Sequence, residues 1–269
     1  MQQLSTGSFF GQHYQKTRLG EITLTDTEYL HDKVDWHYHE QPYFTYLLAG
    51  KLFEANKRDS YQLTPGCLLF HNWQDAHYNE KPPGFARGFH VELNPEWFEK
   101  FSIKAQSLEG SMHLKHPLAR QLMNRVFLET KTGDAYTELN IESHLLDIFS
   151  TIGPVGSSKR HRPSWTDSLL EIITESAVDE LSLTRIAGQL GIHPTHLSRA
   201  FSQYFGCNLG SYVRSRKLNQ AFALILGTKG SMTEIAYQCG FYDQSHFTAN
   251  FKRIYGMTPA KLSRQIREC

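Results

Sequence analysis

The tightest constraint on this chain is an internal repeat near its C-terminus. The stretch SLTRIAGQLGIHPTHLSRAFSQYFG at 182–206 returns as SMTEIAYQCGFYDQSHFTANFKRIYG at 231–256. At an offset of 49, Ser182, Thr184, Ile186, Ala187, Gln189 and Gly191 match Ser231, Thr233, Ile235, Ala236, Gln238 and Gly240. At an offset of 50, His196, Phe201 and Gly206 match His246, Phe251 and Gly256, while Leu197 meets Phe247. The slip of one residue falls just after the matched Gly, where a turn absorbs it. Such self-similarity dictates two copies of one supersecondary unit.

Each copy predicts a short helix, a turn and a second helix. Thr184 and Thr233 are expected to cap the first helix, since a hydroxyl there accepts from an orphan backbone N–H. Ala187 and Ala236 let two helices cross closely. Gly191 and Gly240 end the first helix, because Gly tolerates the left-handed conformation of a tight turn. Leu197 with Phe201, and Phe247 with Phe251, lie four residues apart and turn inward. Thr195, His196, Ser198 and Arg199 in one copy, and Gln244, Ser245 and His246 in the other, are left facing out. Their hydrogen-bonding side chains are long enough to reach base edges. This is the pattern of a helix-turn-helix, whose second helix enters the major groove of DNA. Between the copies SYVRSRKLNQAFALIL predicts a long amphipathic helix with Val213, Leu218, Ala221, Phe222 and Ile225 inward. Arg214, Arg216 and Lys217 are expected to remain open to solvent or phosphate. The helix would act as a strut between two reading heads, matched to successive major grooves roughly 34 Å apart.

Charge supports this division. Of 28 Lys+Arg and 27 Asp+Glu, residues 1–157 hold 14 and 19, for −5; the remainder hold 14 and 8, for +6. A basic half beside an acidic half suits a chain with one end facing a polyanion. At 269 residues, 40% hydrophobic and 20% charged, the chain is long enough for two domains and is not disordered. No apolar run reaches a membrane span, and the polar start is not a signal peptide. Cys67, Cys207, Cys239 and Cys269 lie far apart without CxxC or zinc spacing, which points to a reducing cytoplasm.

Residues 21–93 read as strands. EITLTDTEY, PYFTYLLAG, KLFEA, GCLLFHN and GFARGFHVEL are rich in Thr, Tyr, Phe, Leu and Val, with Gly, Pro, Asn and Asp between them. Asn94-Pro95 stops the last one, and PEWFEKF predicts a turn or two of helix. The period then changes. Helices are predicted over 117–131 and 137–152, the first with Leu118, Leu122 and Val126 at four-residue spacing. The second carries Leu145, Leu146, Ile148 and Phe149. Their apolar stripes serve either coupling and dimerisation or packing on the barrel. GPVGSSKRHRP at 153–163 predicts a linker.

At these residues a known family comes into view. The region 164–266 resembles the DNA-binding domain of AraC/XylS-type bacterial transcription regulators, most specifically in IAYQCGFYDQSHFTANFKRIYGMTPAKL. The resemblance implies base contacts from Thr195, Ser198 and Arg199 in the first unit, and from Gln244, Ser245, His246 and Ala249 in the second. Ala249 departs from the family, which usually carries Arg there for bidentate contact to guanine. Sequence discrimination is therefore expected mostly through Arg199, with the second unit supplying phosphate contacts.

Such regulators commonly place a cupin-like β-barrel first. WHYHEQPYFTYLLAG and YQLTPGCLLFHNWQDAHYN resemble the two cupin motifs. His37 and His39, two apart on a strand, share a face. His77 on a facing strand could complete three imidazoles suited to Fe, Ni, Cu or Zn. Where enzymatic cupins add a Glu, this chain has Tyr43 or Phe44, and Glu40 faces the other way, so the ligand set is incomplete. The expectation is a pocket for a small organic effector, with His37, His39, Tyr43 and His77 as its ligand-binding residues and His71, Trp73 and His90 as further candidates. No metal and no cofactor are expected.

The expected fold is thus α+β and multidomain. It comprises a cupin-like β-barrel at 1–105, a helical coupling or dimerisation segment at 106–155, a linker at 156–163 and an all-α DNA-binding domain at 164–269. Its helix-turn-helix motifs fall at about 184–205 and 233–256. The expected function is that of a sequence-specific, effector-responsive transcription regulator, activator or repressor, cytoplasmic and nucleoid-associated, and not an enzyme. Double-stranded DNA, RNA polymerase and a small molecule are the expected partners, with a homodimer as the assembly and no membrane. A metal-dependent cupin enzyme with a DNA-binding tail, or a constitutive regulator whose barrel only dimerises, are the rival readings.

Overall fold

A computed structural model describes residues 1–72, 74–104, 110–152, 164–176, 180–205, 207–227 and 230–267. The predicted linker, Trp73, Gly206 and Cys269 lie outside the described residues. Two sheets form the N-terminal half. The five-stranded sheet runs in the order β1 (Gln2–Leu4), β4 (Lys33–His39), β9 (His77–Glu80), β6 (Leu52–Asn56), β7 (Ser60–Leu63). The six-stranded sheet runs β11 (Ser111–His113), β8 (Leu68–His71), β5 (Tyr43–Ala49), β10 (Arg87–Leu93), β3 (Ile22–Glu28), β2 (Gln12–Leu19). All five stretches read as strands from the sequence contribute β3, β5, β6, β8 and β10. The polar edge strand β2 and the short β1, β7 and β11 carry no comparable alternation.

Strands β5 and β10 are buried along their whole length, so both faces of the larger sheet are covered. Alternation sorts their side chains. Ile22, Leu24, Phe44, Tyr46, Leu48, Phe70, Phe89 and Val91 point to one face, against helices. Tyr43, Thr45 and His90 point to the other, into the barrel. His90 sits opposite both Thr25 and Thr45 in the ladder. Leu47, Leu52, Leu63, Cys67 and Leu69 close one end of the barrel interior as a small apolar cluster.

The helices packed on the apolar face are α1 (Pro95–Lys100), α2 (Pro117–Thr132) and α3 (Thr137–Ile152). Trp97, Leu122, Val126, Phe127, Leu145, Ile148 and Phe149 are all buried there. The apolar stripes of α2 and α3 are thus used within the chain, on the barrel. Among the described residues seven further helices follow: α4 (Trp165–Glu175), α5 (Leu183–Leu190), α6 (Pro194–Phe205), α7 (Leu209–Gly227), α8 (Met232–Gln238), α9 (Gln244–Tyr255) and α10 (Pro259–Arg267). One continuous core joins the barrel face and α2–α3 to Leu218, Phe222, Ile235, Phe247 and Phe251 of α7–α9. A separate core holds Leu169, Ile173, Ile186, Leu197, Phe201, Leu209 and Tyr212. No helix among the described residues is long and apolar enough to cross a membrane.

Candidate nucleic-acid interface and barrel site

In both repeats the first helix is capped two residues earlier than the hydroxyls of Thr184 and Thr233 would place it. Ser182 accepts from Arg185 N at 3.3 Å, and Ser231 accepts from Glu234 N at 3.2 Å. The Glu234 carboxylate returns the favour at Ser231 N, 2.8 Å away, completing a reciprocal box. A Ser two residues ahead of the Thr offers the same acceptor while keeping the extended backbone that a cap requires. Gly191 (φ 65°) and Gly240 (φ 71°) make the predicted left-handed turns. The turn is the same in both copies: Ile192 N donates to Ala187 O at 3.0 Å, and Phe241 N to Ala236 O at 2.9 Å.

The second helices then present their predicted faces. Leu197 and Phe201, like Phe247 and Phe251, are fully buried. Thr195, His196, Ser198 and Arg199 on α6 are exposed, as are Gln244, Ser245, His246 and Ala249 on α9. Asp243 caps α9 through His246 N at 2.7 Å. Gln244 Oε1 accepts from the Thr233 hydroxyl at 2.6 Å, which orients its amide outward from the turn. The His196 ring packs edge-on to Trp165 at 5.9 Å. Tyr242, 86% exposed, and Tyr237, 61% exposed, flank the start of α9. Sequence reasoning passed over both; the available signal was that Phe241 already fills the core position of that turn, leaving Tyr242 no apolar partner.

Two cations assigned to solvent are used inside the protein instead. Arg216 Nη1 donates to Ile173 O and Ser176 O, satisfying the C-terminal carbonyls of α4. Lys217 Nζ donates to Gly240 O, tying α7 to the second turn. Helix ends expose unpaired carbonyls, and these long side chains reach them before any phosphate can. Arg214 remains exposed, with a bond to Ser211 Oγ at 3.0 Å. The strut itself, 19 residues in α7, is about 28 Å long at 1.5 Å per residue.

Inside the barrel, His37, His39 and His77 converge, each with one ring nitrogen within 4.8 Å of the others. The three are buried. His77 is not on a facing strand: β4 and β9 are neighbours in one sheet, with His37 opposite His77 in the register. Backbone carbonyls fix two tautomers. His37 Nδ1–H donates to Asp35 O at 2.8 Å and His77 Nδ1–H to Asp75 O at 2.9 Å, leaving both Nε2 lone pairs free to accept. Tyr43 OH, on the opposite sheet, lies 3.1 Å from His77 Nε2. Glu40 is exposed and turned towards Thr6 rather than the site.

Burial keeps these groups neutral. It pushes His37 down to about 4 and His90 to about 3, and holds His39 and His71 well below the usual imidazole range; neighbouring imidazoles add to the effect at His37, His39 and His71. Burial also lifts Glu54 to about 8 and Glu92 to about 7. His71 Nε2 lies 3.4 Å from Glu54 Oε1 without a hydrogen bond, and with both groups neutral the contact is not an ion pair. His71 Nδ1 meets Ser111 Oγ at 2.9 Å, and that hydroxyl donates to Asp75 at 2.5 Å.

The N-terminal segment fills most of the remaining space. Phe9 stacks on His90 at 3.6 Å and on His39 at 4.5 Å, while Phe10 meets His37 edge-on at 5.1 Å. Gly7 N donates to the buried Glu92 carboxyl at 2.5 Å. The cavity left is about 30 Å³. Sequence reasoning did not place Phe9 and Phe10 in the barrel, because nothing local marks an arm that folds back across a sheet.

Comparison with known proteins bears on the helical half. Residues 186–265 match the family model described as a helix-turn-helix domain. The chain is 38% identical over 81 residues to the probable transcription factor PqrA of Proteus vulgaris, covering 30% of this chain and 66% of that one. It is 31% identical over 130 residues to the virulence regulon transcriptional activator VirF of Yersinia enterocolitica, 46% of this chain and 47% of the other. Over 245 residues it is 22% identical to the transcriptional activator RhaS of Shigella sonnei, covering 86% and 87% of the two chains. The chain spans about half to two-thirds of the length of the first two relatives.

Proposed function

This chain belongs to the AraC/XylS-type regulators through its C-terminal domain, and we propose on that premise that it is an effector-responsive transcription activator. The observation that carries the reading is the pair of exposed polar faces on α6 and α9, built by one repeated fold and joined by a stiff helix. Thr195, His196, Ser198 and Arg199 read bases in one major groove. Gln244, Ser245, His246 and Ala249 lie in the next, where Ala249 offers only apolar contact. Arg199 alone among the eight has the bidentate donor fork that selects guanine. Tyr242 and Tyr237 lie against the sugar-phosphate backbone beside α9. On this reading the barrel holds a small organic molecule, whose entry displaces Phe9 and Phe10 from the histidines. The protein performs no catalysis, works in the cytoplasm at the nucleoid, and has RNA polymerase as its downstream partner and a second copy of itself as its assembly partner.

Selection from randomised duplexes by the full chain tests this. The expected product is a bipartite motif whose halves lie about one helical turn apart. Arg199→Ala should relax preference at one position by about 1–3 kcal/mol. Unchanged preference in that variant removes the assignment, and no enrichment at all removes the reading.

A second reading of the barrel rests on one observation: His37 and His77, each with Nε2 as its acceptor nitrogen, converge with His39, and the Tyr43 hydroxyl on His77 Nε2 would give way to a bound ion. Three neutral imidazoles with Tyr43 beside them suit a divalent transition metal. Titration of the full chain with Co²⁺ separates the readings, since visible absorption lost in His77→Ala would assign the site to a metal.

A further inference from the structure

A second cavity lies between the two halves of the molecule, apart from both sites above. Its volume is about 570 Å³, within the range of metabolite pockets. The barrel supplies Gly50 and the turn 64–67, α2 supplies Pro117 and Arg120, and α4 supplies Ile173. The strut α7 gives it a whole face: Tyr212, Arg216, Asn219, Ala223 and Gly227 fall at spacings of three or four residues. No residue of α5, α6, α8 or α9 lines it, and none of its lining residues is shared with the histidine site.

The charge of this cavity is one-sided. Lys115, Arg120 and Arg216 line it, and among the described residues no carboxylate does. Lys115 is exposed and meets no acceptor among the described residues. Among the described residues Arg120 makes long contacts, Nε to Leu114 O at 3.5 Å and Nη2 to His113 Nε2 at 3.4 Å. Arg216 uses one of its nitrogens on the carbonyls of α4. Burial, together with Arg120, pulls the Arg216 guanidinium below its usual range, against an opposing effect of the Tyr212 phenol. Three like charges facing a partly enclosed space repel one another, and an anion among them relieves that repulsion. Pro65, Pro117, Ile173 and Leu224 add apolar wall, which suits an organic ion better than a hydrated mineral one.

We propose that this interdomain cavity is a binding site for a metabolite-sized organic anion bearing phosphate or carboxylate groups, held by Lys115, Arg120 and Arg216. The ligand bridges the barrel and α2 to α4 and the Tyr212 end of α7. It thereby fixes how the first helix-turn-helix unit sits on the rest of the chain.

Calorimetric titration of the full chain with pyrophosphate, and separately with citrate, tests the site at ionic strength held constant with KCl. One of the two anions should bind saturably at one per chain, the productive one naming the phosphate or the carboxylate class. Arg120→Gln and Lys115→Gln should each weaken binding at least tenfold, whereas Lys57→Gln, on an exposed turn outside both cavities, should leave it unchanged. Arg216 is spared in these variants because it also caps α4. Heat no greater than the KCl control for both anions overturns the proposal, as does wild-type affinity in both Gln variants. Duplex selection on the same preparation reports separately on DNA reading, so failure of one leaves the other standing.

Discussion

The first helix-turn-helix unit closes a small core of its own, whereas the second shares one with the barrel. Ile186, Leu197 and Phe201 pack against Leu169, Ile173 and Tyr212, and their cluster ends there. Ile235, Phe247 and Phe251, their counterparts one repeat later, continue through Phe222 and Phe127 to Phe89 of β10. Polar contacts follow the same division. A buried network passes from Tyr46 on β5 to Asn124 on α2 at 2.6 Å, and from Asn124 to Asn219 on α7 and Tyr255 on α9 at 3.0 Å each. Arg125 Nε adds a bond to Ile254 O at 2.9 Å. The first unit is tied to the rest of the chain by Ser215 to Gln121 at 2.8 Å and His116 to Phe205 O at 3.2 Å, and by Arg216 within its own cluster. The same local fold is therefore attached through different contacts in its two copies. The second shares its core with the barrel; the first keeps a core of its own.

The largest expected effect breaks this comparison if it fails. Phe251→Ala should cost about 3–5 kcal/mol and lower the melting temperature of barrel and second unit together. Phe201→Ala should cost a similar amount but be confined to α4–α6, with barrel amides keeping their hydrogen-exchange protection. Equal loss of barrel protection in both variants would mean that the two units are attached alike.

Next in size is the buried network. Asn124→Ala leaves the Tyr46, Asn219 and Tyr255 polar groups short of partners, at about 1–3 kcal/mol. The loss should appear in thermal unfolding of the barrel and of α9, with no change in exchange across α5 and α6.

The smallest effect concerns pH. The buried histidines have folded pKa values below their unfolded value of about 6.5, so their contribution is present above it and is lost as pH falls. Glu54 and Glu92 have raised folded values of about 8 and about 7, so they favour folding at low pH and cost stability as pH rises through those values. Stability should peak near pH 6.5–7. Glu54→Gln mimics the neutral carboxyl and still accepts from Asn79, 2.9 Å away in the wild type. It should flatten the alkaline fall in melting temperature between pH 7 and 8.5, in the second unit as well as the barrel. An alkaline limb unchanged by Glu54→Gln would show that the carboxyl is not held neutral.

How much of this was legible in the sequence depended on range. The repeat, the Gly turns, the inward Phe positions and the outward polar faces follow from period and conformational preference within about 25 residues, and each was read correctly. Capping was read two residues late, because Ser and Thr at both positions offer the same chemistry and only the backbone angle distinguishes them. Strands β3, β5 and β10 announced themselves by composition, while β2, with Gln, His, Lys and Arg along an exposed edge, did not.

The chain by itself determined two helix-turn-helix units, a long helix between them, and imidazoles two apart on one strand, since these rest on side-chain type and local period. Tertiary structure alone decided which partners those parts met. It took Arg216 and Lys217 from solvent to carbonyls, set His77 beside His37 rather than across from it, and folded Phe9 into the barrel. It also joined the second helix-turn-helix unit to the barrel half through contacts such as Asn124 with Tyr255, 131 residues apart. Such pairings are chosen by the competition of all faces for one core, and no local pattern records the outcome.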